Sequence, residues 1–393
     1  MKRRLSILLP LTLAACAGDG DSPLSPSGAR AARATATSDY IVVLKDGADP
    51  HAVAALAGVR PSRVYRHALN GFVATLNDGK LNALRHLPAV AYVEPDAPAR
   101  LFTTQLFPTW GLDRIDEPSL PLSSSFTYTA NGTGVTVYIL DTGVRKTHAQ
   151  FGGRADYIPN GANGDFVGDG HGSAEDCHGH GTHVAGTVGG SGYGVAKNVQ
   201  IRAARVVNCV GGGTESMAIA AMDWIVANGT YPSVVSMSLG YGNVQAVRDA
   251  AARLYQDRHV VVAAAGNGDF AGNPINACLE SPAGYANALT VGATTSGDHE
   301  WSASNYGACV DVLAPGVSIK SAWIGSDTAT NLNTGTSMAA PHVAGVAALY
   351  LSLYPTAYPS QVNNAIKYNA TSGAITLNNP FSQTPNKLLY TAW

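Results

Sequence analysis

Ser337 lies in the string Gly335-Thr336-Ser337-Met338-Ala339-Ala340-Pro341-His342, at the head of a small-residue stretch that continues to Leu349. That stretch reads as a buried helix. A serine at a helix N-terminus has backbone N–H groups near its oxygen and sits in the positive end of the helix dipole. A carbonyl under nucleophilic attack needs such donors where its oxygen becomes negative. Pro341 falls in the first turns, where a missing N–H costs little. A serine hydroxyl attacks only when a base takes its proton. Imidazole, with its pKa near neutrality, suits that task, and His180 stands in the glycine-rich string His178-Gly179-His180-Gly181-Thr182-His183. Asp141 ends an apolar run and is followed by Thr142-Gly143.

The elements that must hold these residues follow from the flanking patterns. Val135-Thr136-Val137-Tyr138-Ile139-Leu140 is the continuous β-branched and apolar run of a buried parallel strand. An acid at its C-terminal edge stands where open α/β sheets place their chemistry. The glycine turn around His180 runs into a helix of small residues, Thr182 to Gly186. Val260 to Ala265 is a second buried strand, leading through Gly266 to Asn267. An isolated asparagine is more often a turn former, but a strand end after glycine favours use of its amide.

The three strings Asp141-Thr142-Gly143, His180-Gly181-Thr182-His183 and Gly335-Thr336-Ser337-Met338, in that order, resemble the motifs of subtilisin-like serine proteases. Trp110-Gly111-Leu112-Asp113-Arg114-Ile115-Asp116, Ser302-Ala303-Ser304-Asn305-Tyr306-Gly307 and Pro385-Asn386-Lys387-Leu388-Leu389-Tyr390 narrow the resemblance to the proteinase K and aqualysin branch, over nearly the whole chain after about residue 40. The implied fold is α/β: a mostly parallel sheet flanked by helices, preceded by a small α+β ferredoxin-like domain. The implied activity is that of a secreted serine endopeptidase, broad in specificity with apolar or aromatic P1, working through an acyl-enzyme and made as a self-processing, monomeric zymogen. Ser337 would be the nucleophile, His180 the base, Asp141 the residue that orients the imidazole, and Asn267 an oxyanion donor. Ser238-Leu239-Gly240, the run Gly211-Gly212-Gly213 and Ala264-Ala265-Gly266 resemble the walls of the family's substrate cleft. Glu215 stands where the family often has an aromatic near S4.

The resemblance also implies structural calcium, with no cofactor for the chemistry. One site would use Asp113, Asp116 and Glu117 with Ser123 and Ser125; hard cations want such oxygen ligands. A second would use Asp311 with the carbonyls of Ala286 and Ala288. Cys177, Cys209, Cys278 and Cys309 in an exported chain read as two disulfides, with three ways to pair them. The resemblance implies Cys177–Cys209 and Cys278–Cys309. A competing zinc site would recruit Cys177, His178, His180 and His183; otherwise His183 is a packed core histidine. A non-catalytic binding protein on the same scaffold should lack one of Asp141, His180, Ser337 or Asn267, and all four are present.

Only 13% of residues are charged and the formal net charge is −2, so no basic surface for nucleic acid is expected. Met1-Lys2-Arg3-Arg4 followed by Leu5 to Ala15 reads as an export signal over residues 1–17, with an apolar stretch too short to span a bilayer. Leu13-Ala14-Ala15-Cys16 resembles a bacterial lipobox, which would anchor the precursor by lipid at Cys16; cleavage after Ala17 is the alternative. Residues 18–38 form a Gly/Ser/Pro-rich tether. Residues 39–102 follow the order β-α-β-β-α-β, with strands joined at Asn70-Gly71. This resembles the subtilisin propeptide, an intramolecular chaperone and inhibitor, and implies self-cleavage between Phe102 and Thr103 ahead of a catalytic domain over 103–393. The loop between Asp156 and Asp176 is longer than usual and glycine-rich, and is expected to be mobile.

Overall fold

The computed structural model describes residues 37–96, 103–269, 271–379 and 382–393. The export signal, Cys16, nearly all of the tether and Phe102 lie outside the described residues. The chain divides into two compact units, residues 1–100 and 101–393.

The first unit holds β1 (Ser38–Leu44), α1 (Pro50–Leu56), β2 (Arg63–Tyr65), β3 (Gly71–Leu76), α2 (Asp78–Arg85) and β4 (Val90–Pro95). Its sheet runs in the order β2-β3-β1-β4, with antiparallel neighbours, which is the ferredoxin-like arrangement. Alternate strand residues Val42, Leu44, Phe72, Ala74 and Leu76 pack on Val53, Ala54, Leu81 and Leu84 of the helices. Asp49 caps α1 by accepting from His51 N at 2.7 Å, and Asn77 caps α2 by accepting from Lys80 N at 2.9 Å. The link between β2 and β3 differs from the Asn70-Gly71 turn expected of it. Tyr65 pairs with Gly71, so residues 66–70 form the connection. Asn70 instead donates to the carbonyls of Lys45 and Ala48, and Gly71 is required because a Cβ there would lie 2.2 Å from Val42 O.

The second unit contains β5 (Thr103–Leu106), α3 (Trp110–Ile115), β6 (Ser125–Tyr128), β7 (Thr136–Asp141), β8 (Ala155–Tyr157), α4 (His180–Gly189), β9 (Gln200–Arg205), α5 (Glu215–Asn228), β10 (Ser233–Met237), α6 (Gln245–Gln256), β11 (Val260–Ala264), β12 (Leu289–Thr294), β13 (Val312–Pro315), β14 (Ile319–Ala322), β15 (Thr330–Asn333), α7 (Thr336–Leu353), α8 (Pro359–Asn369), β16 (Thr371–Ser372) and β17 (Lys387–Leu388). Its main sheet has the order β16-β17-β13-β12-β11-β10-β7-β9-β8 and is parallel except for the β16–β17 pair. Val137 and Ile139 face one core, shared with α4 and α7; Tyr138 and Leu140 face the other, shared with α5 and α6. Burial on both faces is why β7 reads as an unbroken apolar run. Helix α7 is apolar around its circumference because it lies inside the core.

The order of the strands reverses at β7 and β10. Connections lead to β9 and β8 on one side and to β11, β12 and β13 on the other. The crevice at such a switch point, beyond the carboxyl ends of the strands, is where α/β sheets bind ligands. Asp141 is the last residue of β7, and Ser238 directly follows β10.

Candidate active site

Asp141 is buried, and its Oδ1 accepts from Thr142 N and contacts His180 Nδ1, each at 2.7 Å. The contact fixes the imidazole with Nε2 outward. His180 is the first residue of α4, placed there by Gly179 at φ +107°, where a Cβ would strike the Trp323 ring at 2.5 Å. Gly181 lets the helix abut β7, since a Cβ there would fall 2.1 Å from Gly143 O. Burial opposes protonation of His180, but the adjoining Asp141 carboxylate outweighs it, helped by Asp176, and the pKa is raised above the ordinary histidine value.

Asp176 was not singled out by sequence reasoning, yet it organises this corner. Its Oδ1 accepts from Thr142 Oγ1 at 2.9 Å, His178 N at 2.9 Å and Gly179 N at 2.8 Å. Its Oδ2 accepts from Thr182 N at 2.9 Å and Thr182 Oγ1 at 2.6 Å. Thr142 Oγ1 in turn accepts from Gly181 N at 2.9 Å. One buried carboxylate thus ties the end of β7 to the start of α4. The sequence signal was an acid four residues before His180, at the mouth of a helix.

Ser337 sits in the first turn of α7, where backbone N–H groups lack intrahelical acceptors. Its hydroxyl donates to Ser238 O at 3.2 Å, and its carbonyl accepts from Ser238 Oγ at 2.9 Å. Among the described residues it makes no hydrogen bond to His180. Asn267 Oδ1 accepts from Thr336 N and Thr336 Oγ1, both at 2.8 Å. Because the backbone N–H can only donate, the amide orientation is determined and Nδ2 is left as the donor beside Ser337.

Two cavities flank these groups. One of about 320 Å³ is lined by Asp141, His180, Gly211, Gly213, Ser238, Leu239, Gly240 and Tyr241 among others. The other, of about 290 Å³, is lined by Gly240, Ala264, Gly266, Asn267, Glu280 and Ser337 among others. Gly212 and Ala265 line neither. Gly212 is held in a turn by Asn208, accepting from its N at 2.7 Å and donating to its Oδ1 at 2.9 Å. Ala265 is fully buried, and its carbonyl accepts from Asn305 Nδ2. Glu215 opens α5 and borders neither cavity. Sequence reasoning also missed Glu280 and Tyr241.

Disulfides join Cys177 to Cys209 and Cys278 to Cys309. This removes Cys177 from any zinc set. His183 is fully buried, its Nε2 is spent on Ile319 O at 2.9 Å, and burial pushes its pKa down to about 4. The zinc arrangement therefore fails and His183 is a packed core residue. The loop between Asp156 and Asp176 is anchored rather than free. The guanidinium of the fully buried Arg205 takes Asp165 at 3.0 Å and both oxygens of Asp169, at 2.9 and 2.7 Å. Tyr157 hydroxyl donates to Glu175, and Ala174 N to Asn163 O.

The two calcium expectations part company. Carboxylate oxygens of Asp113, Asp116 and Glu117 lie within 4.8 Å of one another. Asp116 Oδ1 is buried without a partner among the described residues, while Oδ2 accepts from Thr127 N. Burial, and then the neighbouring Glu117 and Asp113, push the Asp116 pKa up to about 6. Ser123 donates from N and Oγ to Asp113, and its Oγ lies 2.8 Å from Ser125 Oγ. An orphaned buried oxygen among three acids fits a hard cation. Asp311 does not fit the second calcium. Its Oδ1 holds Lys367 Nζ at 3.1 Å and its Oδ2 accepts from Thr290 N at 3.0 Å, so both oxygens have protein partners, although burial still raises the pKa. Neither oxygen of Asp311 is left orphaned, as Asp116 Oδ1 is, for an ion shared with the carbonyls of Ala286 and Ala288.

Comparison with known proteins agrees with this arrangement. Residues 132–384 match the model of the subtilase family, and residues 39–102 match that of peptidase inhibitor I9. The chain is 49% identical over 336 residues to an extracellular serine proteinase of Thermus sp. (strain Rt41A), covering 86% of this chain and 79% of that one. It is 39% identical over 362 residues to proteinase R of Parengyodontium album, covering 89% and 88%. The crystal structure of a cold adapted subtilisin-like serine proteinase aligns with a TM-score of 0.67 at 45% identity, covering 73% of this chain and 99% of that one. With its sheet, its motif order and these matches, the chain belongs to the subtilase family of serine proteases, with an inhibitor-type domain ahead of the protease domain.

Proposed function

We propose that this chain is the precursor of a secreted serine endopeptidase whose Asp141, His180 and Ser337 form the catalytic triad. The observation that carries the reading is the buried Asp141 carboxylate 2.7 Å from His180 Nδ1, with Ser337 in a helix first turn beside the Asn267 amide. His180 Nε2 takes the Ser337 proton as Oγ attacks the substrate carbonyl. Asp141 stabilises the imidazolium that results. The oxyanion is held by Asn267 Nδ2 and Ser337 N–H. Collapse expels the amine with the proton from His180, and water, activated by the same imidazole, frees the acyl group.

Residues 39–102 act on this reading as propeptide, chaperone and inhibitor, residues 1–17 as export signal and 18–38 as tether. Phe102–Thr103 is the bond cut in maturation, and residues 103–393 form the monomeric protease. Extended protein substrates lie along Ser238-Leu239-Gly240 and the Gly211–Gly213 segment, where small residues let a peptide backbone approach. The small walls Ala264 and Gly266 leave room for bulky apolar or aromatic P1 side chains. Secretion accords with the extracellular naming of the Thermus relative. Calcium would be held by Asp113, Asp116 and Glu117 with Ser123 and Ser125, and would supply stability rather than chemistry.

The test is Ser337→Ala in the full chain. The variant is expected to accumulate as an unprocessed precursor with no label from a serine-directed fluorophosphonate, while the native chain trims itself near Thr103 and labels. Self-trimming by the isolated variant would exclude Ser337 as nucleophile.

A further inference from the structure

The cavity beside Ser337 and Asn267 carries one feature that its small apolar walls do not explain. Glu280 reaches into it, and it is the one titratable side chain among the lining residues. Glu280 lies over two glycines. A Cβ on Gly240 would sit 3.2 Å from its Oε2, and one on Gly266 3.6 Å from its Cγ. Its backbone is fixed. Glu280 follows the turn Ala277–Leu279, which carries the Cys278–Cys309 disulfide. Arg248 Nη2 donates to Cys278 O at 2.7 Å and to Glu280 O at 3.2 Å, and its Nε to Ser281 Oγ at 3.1 Å. The nearby cation is thereby spent on main chain and hydroxyl. Among the described residues the Glu280 carboxylate has neither a hydrogen bond nor an ion pair, and burial raises its pKa.

An acid half-withdrawn from water and left unpaired is a poor structural element but a good receptor for a cation. We propose that Glu280 makes this pocket accept lysine and arginine as the residue whose carbonyl is cut, in addition to bulky apolar residues. This rests on the endopeptidase reading above. The alkyl stem of lysine or arginine lies along the walls at Ala264 and Gly266, as an apolar side chain would, and the charged head ends at the carboxylate. One pocket thereby serves both substrate classes.

The experiment compares kcat/KM of the mature enzyme on fluorogenic peptide amides that differ only at P1: lysine, arginine, phenylalanine and norleucine, the uncharged near-isostere of lysine. Glu280→Gln keeps the shape and removes the charge. It is expected to lower cleavage after lysine and arginine roughly tenfold to a hundredfold, the worth of a charged hydrogen bond, while leaving norleucine and phenylalanine nearly unchanged. An equal fall for all four overturns the proposal. In the native enzyme the lysine-to-norleucine ratio is expected to rise with pH as Glu280 ionises. The titration of His180 cancels in that ratio, and Arg248 stays charged throughout. This arm decides the matter even if the variant fails to fold: a flat ratio from about pH 4 to 8 overturns the proposal. Cleavage after phenylalanine without cleavage after lysine overturns this proposal and leaves the endopeptidase reading intact. No cleavage of any substrate, with no fluorophosphonate label, overturns both.

Discussion

At the scale of single residues, the proposed base is His180, and its surroundings set the pH range of activity. Neighbouring Asp141, with help from Asp176, raises its pKa despite burial. A raised pKa means the imidazole protonates at higher pH than usual, and the protonated form cannot accept the serine proton. Activity on an uncharged peptide is therefore expected to fall with decreasing pH through an inflection above the ordinary value of about 6.5. Measured kcat/KM against pH checks this, and an inflection below that value would contradict it. Asp176 acts on His180 from a distance and is a positioning residue. In Asp176→Asn, one carboxylate oxygen becomes an amide that cannot accept from the N–H groups now facing it. We expect kcat to fall by roughly tenfold to a hundredfold, since a displacement of about 1 Å at a reacting group costs on that order. We also expect the inflection to move down, because a negative charge near the imidazole is lost. A fall in kcat with no movement of the inflection would mean a purely structural role.

At the scale of elements, the loop between Asp156 and Asp176 depends on one buried cation. Arg205 ends β9, is fully buried, and also lies 3.5 Å from Cys209 Sγ. Composition alone gave this loop the glycines of a mobile segment. The tertiary partner of its acids lies 36 to 40 residues away, which local patterns do not show. Replacing Arg205 with methionine leaves Asp165 buried and uncompensated. Breaking such a pair costs about 3–5 kcal/mol. Chemical denaturation of the fluorophosphonate-blocked enzyme is expected to show a loss of that size. Limited proteolysis should find new cuts within the loop, and an unchanged cleavage pattern would argue that other contacts suffice.

For the whole molecule, stability should depend on calcium at the N-terminal end of the protease unit. A ligand bound only by the folded state stabilises by mass action, about 2.7 kcal/mol at a hundredfold excess over its Kd. The three acids around the orphaned Asp116 Oδ1 would gain this on binding the metal. Asp311, whose two oxygens already have protein partners, would not. Chelator is therefore expected to lower the melting temperature of blocked enzyme. Asp113→Ala should abolish that chelator effect, whereas Asp311→Ala should retain it. A chelator effect lost in Asp311→Ala and kept in Asp113→Ala would reverse the assignment.

The sequence by itself determined the family, the fold class and the order of the elements that present Asp141, His180, Asn267 and Ser337. Those signals are local: a β-branched run buried on both faces, a glycine turn into a helix, a serine at a helix start. Each signal indicates its own local element, and the three motifs in that order resemble one family, whose topology the resemblance implies. Contacts between distant segments were decided only by tertiary structure. The carboxylate of Asp176 gains meaning from Thr142, which lies 34 residues away. Asp311 meets an ammonium on α8, 56 residues away, which no local pattern announces. Glu280 carried no sequence signal, and becomes a pocket residue only when the ends of β10 and β11 and the start of α7 converge around it. A charge is defined by what stands within a few ångströms of it. For these residues that neighbour is supplied by the fold and not by the adjoining chain.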